Sequence, residues 1–90
     1  MKKNDVVSLL TLAGEFVGKF EDETPDIITL SDPHLVIPDN NNLGFQPVIC
    51  MTGEPKLDKV DFYKATAVSM VPTAEPVVKE YRKATSGLIV

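Results

Sequence analysis

The stretch Leu9-Leu10-Thr11-Leu12-Ala13-Gly14-Glu15-Phe16-Val17-Gly18-Lys19-Phe20 decides the fold. It continues the run Val6-Val7-Ser8, and Val6 to Leu12 carries apolar side chains on both alternating faces, the pattern of a strand covered on two sides. Ala13-Gly14 offers a turn. Glu15 to Glu21 then alternates, with Phe16, Gly18 and Phe20 on one face and Glu15, Val17, Lys19 and Glu21 on the other, which predicts a half-buried strand. Gly18 sits in the middle of that strand, where a missing side chain costs stability unless the backbone bends or another segment passes close by. A tightly curved sheet is the expectation.

Working outward, Glu21-Asp22-Glu23-Thr24-Pro25-Asp26 is a polar turn, and Ile27-Ile28-Thr29-Leu30 resumes β character. The strand continues past Asp32-Pro33, a kink or bulge, into Leu35-Val36-Ile37. Pro38-Asp39-Asn40-Asn41-Asn42-Leu43-Gly44 is dense in residues that tolerate left-handed backbone, and it reads as a loop between two strands. Phe45 to Thr52 is the next strand, Gly53-Glu54-Pro55 a break, and Val60 to Val71 a further strand with Val60, Phe62, Val68 and Met70 at even spacing.

The period then changes. Thr73 is placed to cap a helix whose first turn holds Ala74, Glu75 and Pro76, with Val77, Val78 and Tyr81 on one stripe and Lys79, Glu80, Arg82 and Lys83 on the charged face. Gly87 ends it, and Leu88-Ile89-Val90 is expected to dock back as an apolar tail. The reading is one mainly β domain over 1–90, with strands within 6–71 and a helix over about 74–85.

At 90 residues such a domain buries only roughly two-thirds of the surface of its unfolded chain, so assembly is a natural way to recover burial. Hydrophobic residues at 43% and charged ones at 24% fit a globular domain rather than a disordered tail. A single cysteine, Cys50, excludes an internal disulfide and a zinc finger and points to a reducing, cytoplasmic compartment. No apolar run is long enough for a membrane span or a signal-peptide core, so neither export nor membrane insertion is expected. The net charge of −4 argues against coating nucleic acid by bulk electrostatics, which leaves local contact as the remaining mode.

The residues offer little for catalysis, and no enzyme activity is expected. His34 is the one imidazole, and following a proline it reads as ordinary strand or turn structure. Cys50 lies in Val48-Ile49-Cys50-Met51, where burial makes a thiol inert. Glu21, Asp22, Glu23 and Asp26 lack the spacing of a calcium loop, and Asp39 with its three asparagines lacks a distal bidentate acid. The glycines are too scattered for a phosphate loop. No cofactor or metal is expected.

Leu9 to Phe20, followed by Ile27-Ile28-Thr29-Leu30-Ser31-Asp32, resembles the first conserved motif of Sm and Sm-like (LSm) proteins: apolar strand, glycine, apolar, glycine, apolar, acidic turn, strand, Ser-Asp. Lys64-Ala65-Thr66-Ala67-Val68-Ser69-Met70-Val71 is similar to a degraded form of the second motif, which usually has Arg-Gly before a short apolar strand. The whole is similar to a phage-encoded member of that family, for which the host cell cytoplasm is the implied location. The resemblance implies a small five-stranded, strongly bent SH3-like or Sm-like barrel. It also implies a ring of about five to seven identical subunits, joined edge strand to edge strand because unpaired edges invite pairing.

The departures bear on the ligand. The family places an aromatic or histidine and then an asparagine in the turn after the second strand, to stack a base and bond uracil; here Thr24, Pro25 and Asp26 stand there. An aspartate accepts but does not donate as an amide does, and it repels phosphate. Lys64 keeps the charge of the family arginine without its planar fork, and Ala65 replaces the glycine. What the resemblance implies is a homo-oligomeric ring binding single-stranded nucleic acid, RNA ahead of DNA, through Thr24, Asp26, Lys64 and Thr66 in RNA or DNA processing. The alternative is a protein-interaction or structural assembly module on the same barrel.

Overall fold

The computed structural model describes residues 1–47, 52–54 and 58–85. Cys50, the second half of the strand expected over 45–52, Gly87 and the tail 88–90 lie outside the described residues. Six antiparallel strands are followed by one helix: β1 (Val6–Thr11), β2 (Gly14–Glu23), β3 (Ile27–Asp39), β4 (Asn42–Gln46), β5 (Lys59–Tyr63), β6 (Ala67–Pro72) and α1 (Glu75–Thr85). A single turn of 3-10 helix, Lys64–Thr66, joins β5 to β6.

The first hairpin forms where the alternation placed it, with Val7 opposite Gly18 and Leu9 opposite Phe16. Thr11 closes it: its hydroxyl accepts from the N–H groups of Ala13 and Gly14 and donates to the Gly14 carbonyl. β3 runs unbroken through Pro33, as expected. Val17 pairs with His34 but Lys19 with Ser31, so Asp32 and Pro33 stand against Gly18 alone, a bulge in which Asp32 takes φ 50°. The Asp32 N–H that this frees from β2 donates instead to the carbonyl of Asp58.

The expected five-stranded barrel is corrected in two respects. Leu35 pairs with Phe16 of β2 and with Gln46 of β4, while residues 28–30 pair with both β2 and β5. β4 and β5 therefore lie one after the other along the same margin of β3, and six strands fill five positions. The expected loop over 38–44 shrinks to Asn40-Asn41, with Asn40 at φ 56°, because the hairpin pairs right up to Asp39 and Asn42. The second correction is that the sheet is not closed into a barrel: in the order β4-β3-β2-β1-β6, with β5 on β3, no ladder joins β5 to β6 among the described residues.

The sheet is nevertheless sharply curled, since its two outer positions are bridged by three residues. β2 itself shows the bend. Ten extended residues span about 30 Å, yet the turn before β2 and the turn after it both bond to the same 3-10 turn. Leu12 N–H donates to Thr66 O, and Lys64 N–H to Asp26 O, each at 2.9 Å. The inner face holds the main core of Val7, Leu9, Phe16, Phe20, Ile28, Leu30 and Phe62, with the Phe16 and Phe62 rings 5.0 Å apart across the curl. The segment expected as one strand over 60–71 is split by the 3-10 turn; of its evenly spaced apolar residues Val60, Phe62 and Met70 face this core, while Val68, the extra residue of a bulge opposite Leu10 and Thr11, is 61% exposed and Ala67 packs inward instead.

A second cluster lies on the outer face, where Val6 and Val17 meet Val78 and Tyr81 of α1. β1 is thus covered on both sides at Val6 and Val7, but Leu10 is exposed because α1 does not reach it. The helix starts one residue later than expected and its cap is different. Ala74 O accepts from Val77 and Val78, while the Thr73 hydroxyl bonds that of Ser8 at 2.8 Å, tying helix to strand rather than capping. Tyr81 is fully buried and donates its hydroxyl to Asp32 O, so the helix is anchored on the β3 bulge. No helix of the described residues is long and apolar enough to cross a membrane.

Candidate functional site

Thr24 and Asp26 lie in the β2–β3 turn, and Lys64 and Thr66 in the 3-10 turn. The curl brings the two turns together. Both threonine hydroxyls serve the backbone. Thr24 Oγ1 accepts from the N–H of Ile27 at 3.0 Å and of Asp26 at 3.3 Å, a threonine turn, and Thr66 Oγ1 donates to Tyr63 O at 2.8 Å. Lys64 N–H reaches Asp26 O, and Ile27 pairs with Tyr63 on the adjoining strands. Three turns, at Leu12, Asp26 and Lys64–Thr66, thus form one backbone-bonded platform.

Its electrostatics are those of a compensated acidic surface. Lys64 is ion-paired with Glu23, so a phosphate would compete with that carboxylate for its charge. Asp26 has no ion pair among the described residues, and Asp22, exposed, spends one carboxylate oxygen on the N–H of Glu23. Asp61 accepts from the Thr29 hydroxyl at 2.7 Å across β3 and β5. Further along, Glu21 stands as the extra residue of a bulge between Phe20 and Asp22, and Lys3 and Lys59 reach it at 3.2 and 3.6 Å. Desolvation pushes the Glu21 carboxyl up, but the Lys3 hydrogen bond and charge, the Lys59 charge and the Ser31 hydroxyl outweigh it and hold it below the usual carboxylate range.

All six aromatic residues lie within the described part, and the fold leaves one ring in solvent: Tyr63, 66% exposed at the end of β5. The sequence reading passed over it. Its alternation with buried Phe62 was the available signal, because neighbouring strand residues point to opposite faces.

His34 is buried, and its Nδ1 lies 3.0 Å from Asp32 O, the oxygen that also accepts from Tyr81. A carbonyl only accepts, so Nδ1 carries the proton. The His34 ring meets Tyr81 edge-on at 5.7 Å. Burial, with the nearby Asp32 charge adding to it, raises the Tyr81 hydroxyl well above the usual phenol range. A separate cleft of about 620 Å³ lies between Asp32, His34, Phe45, Lys59 and the end of α1, and shares no residue with the joined turns. No group of three or more metal-binding side chains occurs among the described residues. No protein-family model matches the chain, and no curated protein matches it at a significant level.

Proposed function

We propose that the chain is a non-enzymatic Sm-like module that assembles with copies of itself into a ring through its open sheet margins. In this reading it binds single-stranded nucleic acid, RNA ahead of DNA, across the joined turns holding Thr24, Asp26, Lys64 and Thr66, in nucleic-acid processing in the cytoplasm. The observation that carries the reading is the backbone bond from Lys64 to Asp26. It fixes two sequence-distant turns as one surface, with exposed Asp26 and Thr66 beside a lysine.

A second reading draws on the charge of that same surface. With Lys64 neutralised by Glu23, and Asp22 and Asp26 alongside, the turns repel a phosphate chain and suit a protein partner. The same ring then serves as a structural assembly module.

Light scattering of the purified chain, followed by titration of a labelled oligouridine at low and high salt, separates these readings. A ring that binds the oligonucleotide supports the first. A ring that leaves it free at low salt supports the second, and a strictly monomeric chain at micromolar concentration overturns both.

A further inference from the structure

The outward-facing side chains of β5 and β6 differ in kind. On β5, Phe62 and Val60 turn to the core while Lys59, Asp61 and Tyr63 face out. On the opposite margin β6 carries no charged residue. Its outward Ser69 and Val71 stand beside Leu10 and Ser8 of β1, their register partners, and Leu10 in turn stands beside Glu15 of β2. Ser8, Leu10, Glu15, Ser69 and Val71 line a shallow pocket of about 210 Å³, with Leu10 44% and Val71 50% exposed. One margin thus presents a large solvent-exposed ring, and the other an apolar recess with a carboxylate and two hydroxyls.

We propose that Tyr63 of one copy seats in the Leu10–Ser69–Val71 pocket of the next, making this pair of surfaces the anchor of self-association. The inference rests on the margin-to-margin part of the reading above and names the residues that specify it. The second copy is the occupant because one margin of the chain carries an exposed aromatic ring with a hydroxyl and the other an apolar recess edged by hydroxyls. When β5 of a neighbour extends the sheet beyond β6, the pleat keeps outward residues on one continuous face, and the register that seats Tyr63 between Ser69 and Val71 brings its ring over the pocket. Its ring covers Val71 and leans towards Leu10, and its hydroxyl donates to a serine oxygen. No charged side chain of β6 opposes Lys59 or Asp61. Knob and pocket sit on different margins, so the contact is head-to-tail and passes from copy to copy, closing into a ring where the rotation per copy allows, rather than stopping at a two-fold dimer.

The test uses Tyr63→Ala, Tyr63→Phe and Val71→Glu in the full chain, with native mass spectrometry and sedimentation for assembly and circular dichroism for the fold. Tyr63→Ala and Val71→Glu are each expected to weaken self-association on the order of 30-fold or more, as aromatic anchors at interface centres do, with a folded monomer remaining. Tyr63→Phe keeps most of the assembly. Mixing Tyr63→Ala with Val71→Glu is expected to restore a heterodimer, because the first keeps an intact pocket and the second an intact ring. Wild-type assembly in both variants, or no heterodimer on mixing, overturns the inference while leaving margin pairing in place. A monomeric wild-type chain ends margin pairing itself, and this anchor with it.

Discussion

Gly18 lies so close to Pro33 that a Cβ on the glycine would stand 3.2 Å from the Pro33 Cα, with Leu30 Cβ equally near. The requirement is for space and not for a left-handed backbone. The β3 bulge presses its extra residues against β2 at this point, so the absent side chain is what lets the sheet curl here. Gly18→Ala is expected to destabilise by about 1–3 kcal/mol, since Pro33 offers backbone that yields little. Gly18→Val is expected to yield no soluble folded protein. Urea denaturation of the alanine variant and the soluble yield of the valine variant check this, and wild-type stability in both removes the close-approach argument.

Thr24 holds the β2–β3 turn through two backbone N–H groups, at Asp26 and Ile27. Thr24→Ala hands those donors to water, at an expected loss of about 1 kcal/mol. Because the same turn receives Lys64, the variant is also expected to loosen the 3-10 turn. Faster amide exchange at Lys64, with β1 unchanged, is the readout.

Glu21 makes stability depend on pH in one direction. Its carboxyl sits below the ordinary value of 4.5 in the folded chain, so the unfolded chain takes up its proton first as acid is added. The contribution of Glu21 is therefore complete above pH 4.5 and is lost as the pH falls through its lower folded value. Glu21→Gln is expected to flatten that part of the stability profile, measured as the denaturation midpoint between neutral and acid pH. An unchanged slope counts against the Lys3 and Lys59 contacts.

Tyr81 is the anchor of α1, fully buried and bonded to Asp32 O at 2.7 Å. Tyr81→Phe removes the donor while His34 stays on the same oxygen, so the expected cost is only about 1 kcal/mol. Tyr81→Ala leaves a cavity among Val6, Val17 and Val78 and is expected to cost about 3–5 kcal/mol. Loss of helical signal in the far ultraviolet with the sheet retained identifies undocking of α1 as the route.

Particular residues explain which parts of this fold were legible. β1, β2 and α1 were readable because their signals are local: Phe16 and Phe20 alternate, and Val78 and Tyr81 recur at helical spacing on the buried face. Gly18 was readable by the side chain it lacks. The 3-10 turn at Lys64–Thr66 was hidden, since it holds neither proline nor glycine and the core residues Phe62 and Met70 on either side of it share the same parity. The place of β4 beside β5 depends on which margin of β3 each one finds, and pairing between distant segments leaves no local trace. Thr73 was misread because a cap and a cross-strand hydroxyl bond call for the same residue type. At the candidate site, Thr24, Asp26, Lys64 and Thr66 fall in two turns far apart in the sequence, and the curl sets those turns together. The ion pair that neutralises Lys64 and the exposure of Tyr63 became visible only in three dimensions.

The short bridge between β5 and β6 has a consequence for motion. Covalent linkage holds these two margins near each other where cross-strand bonds do not, so the curled sheet has a seam along which it can widen without breaking a ladder. Amides on the outer sides of β5 and β6 then exchange with solvent deuterium in the isolated chain, like those on the outer side of β4, ahead of Val7, Leu9 and Val17, which sit between paired neighbours. Slowing of those same amides then reports any state in which a second chain has been added along the seam.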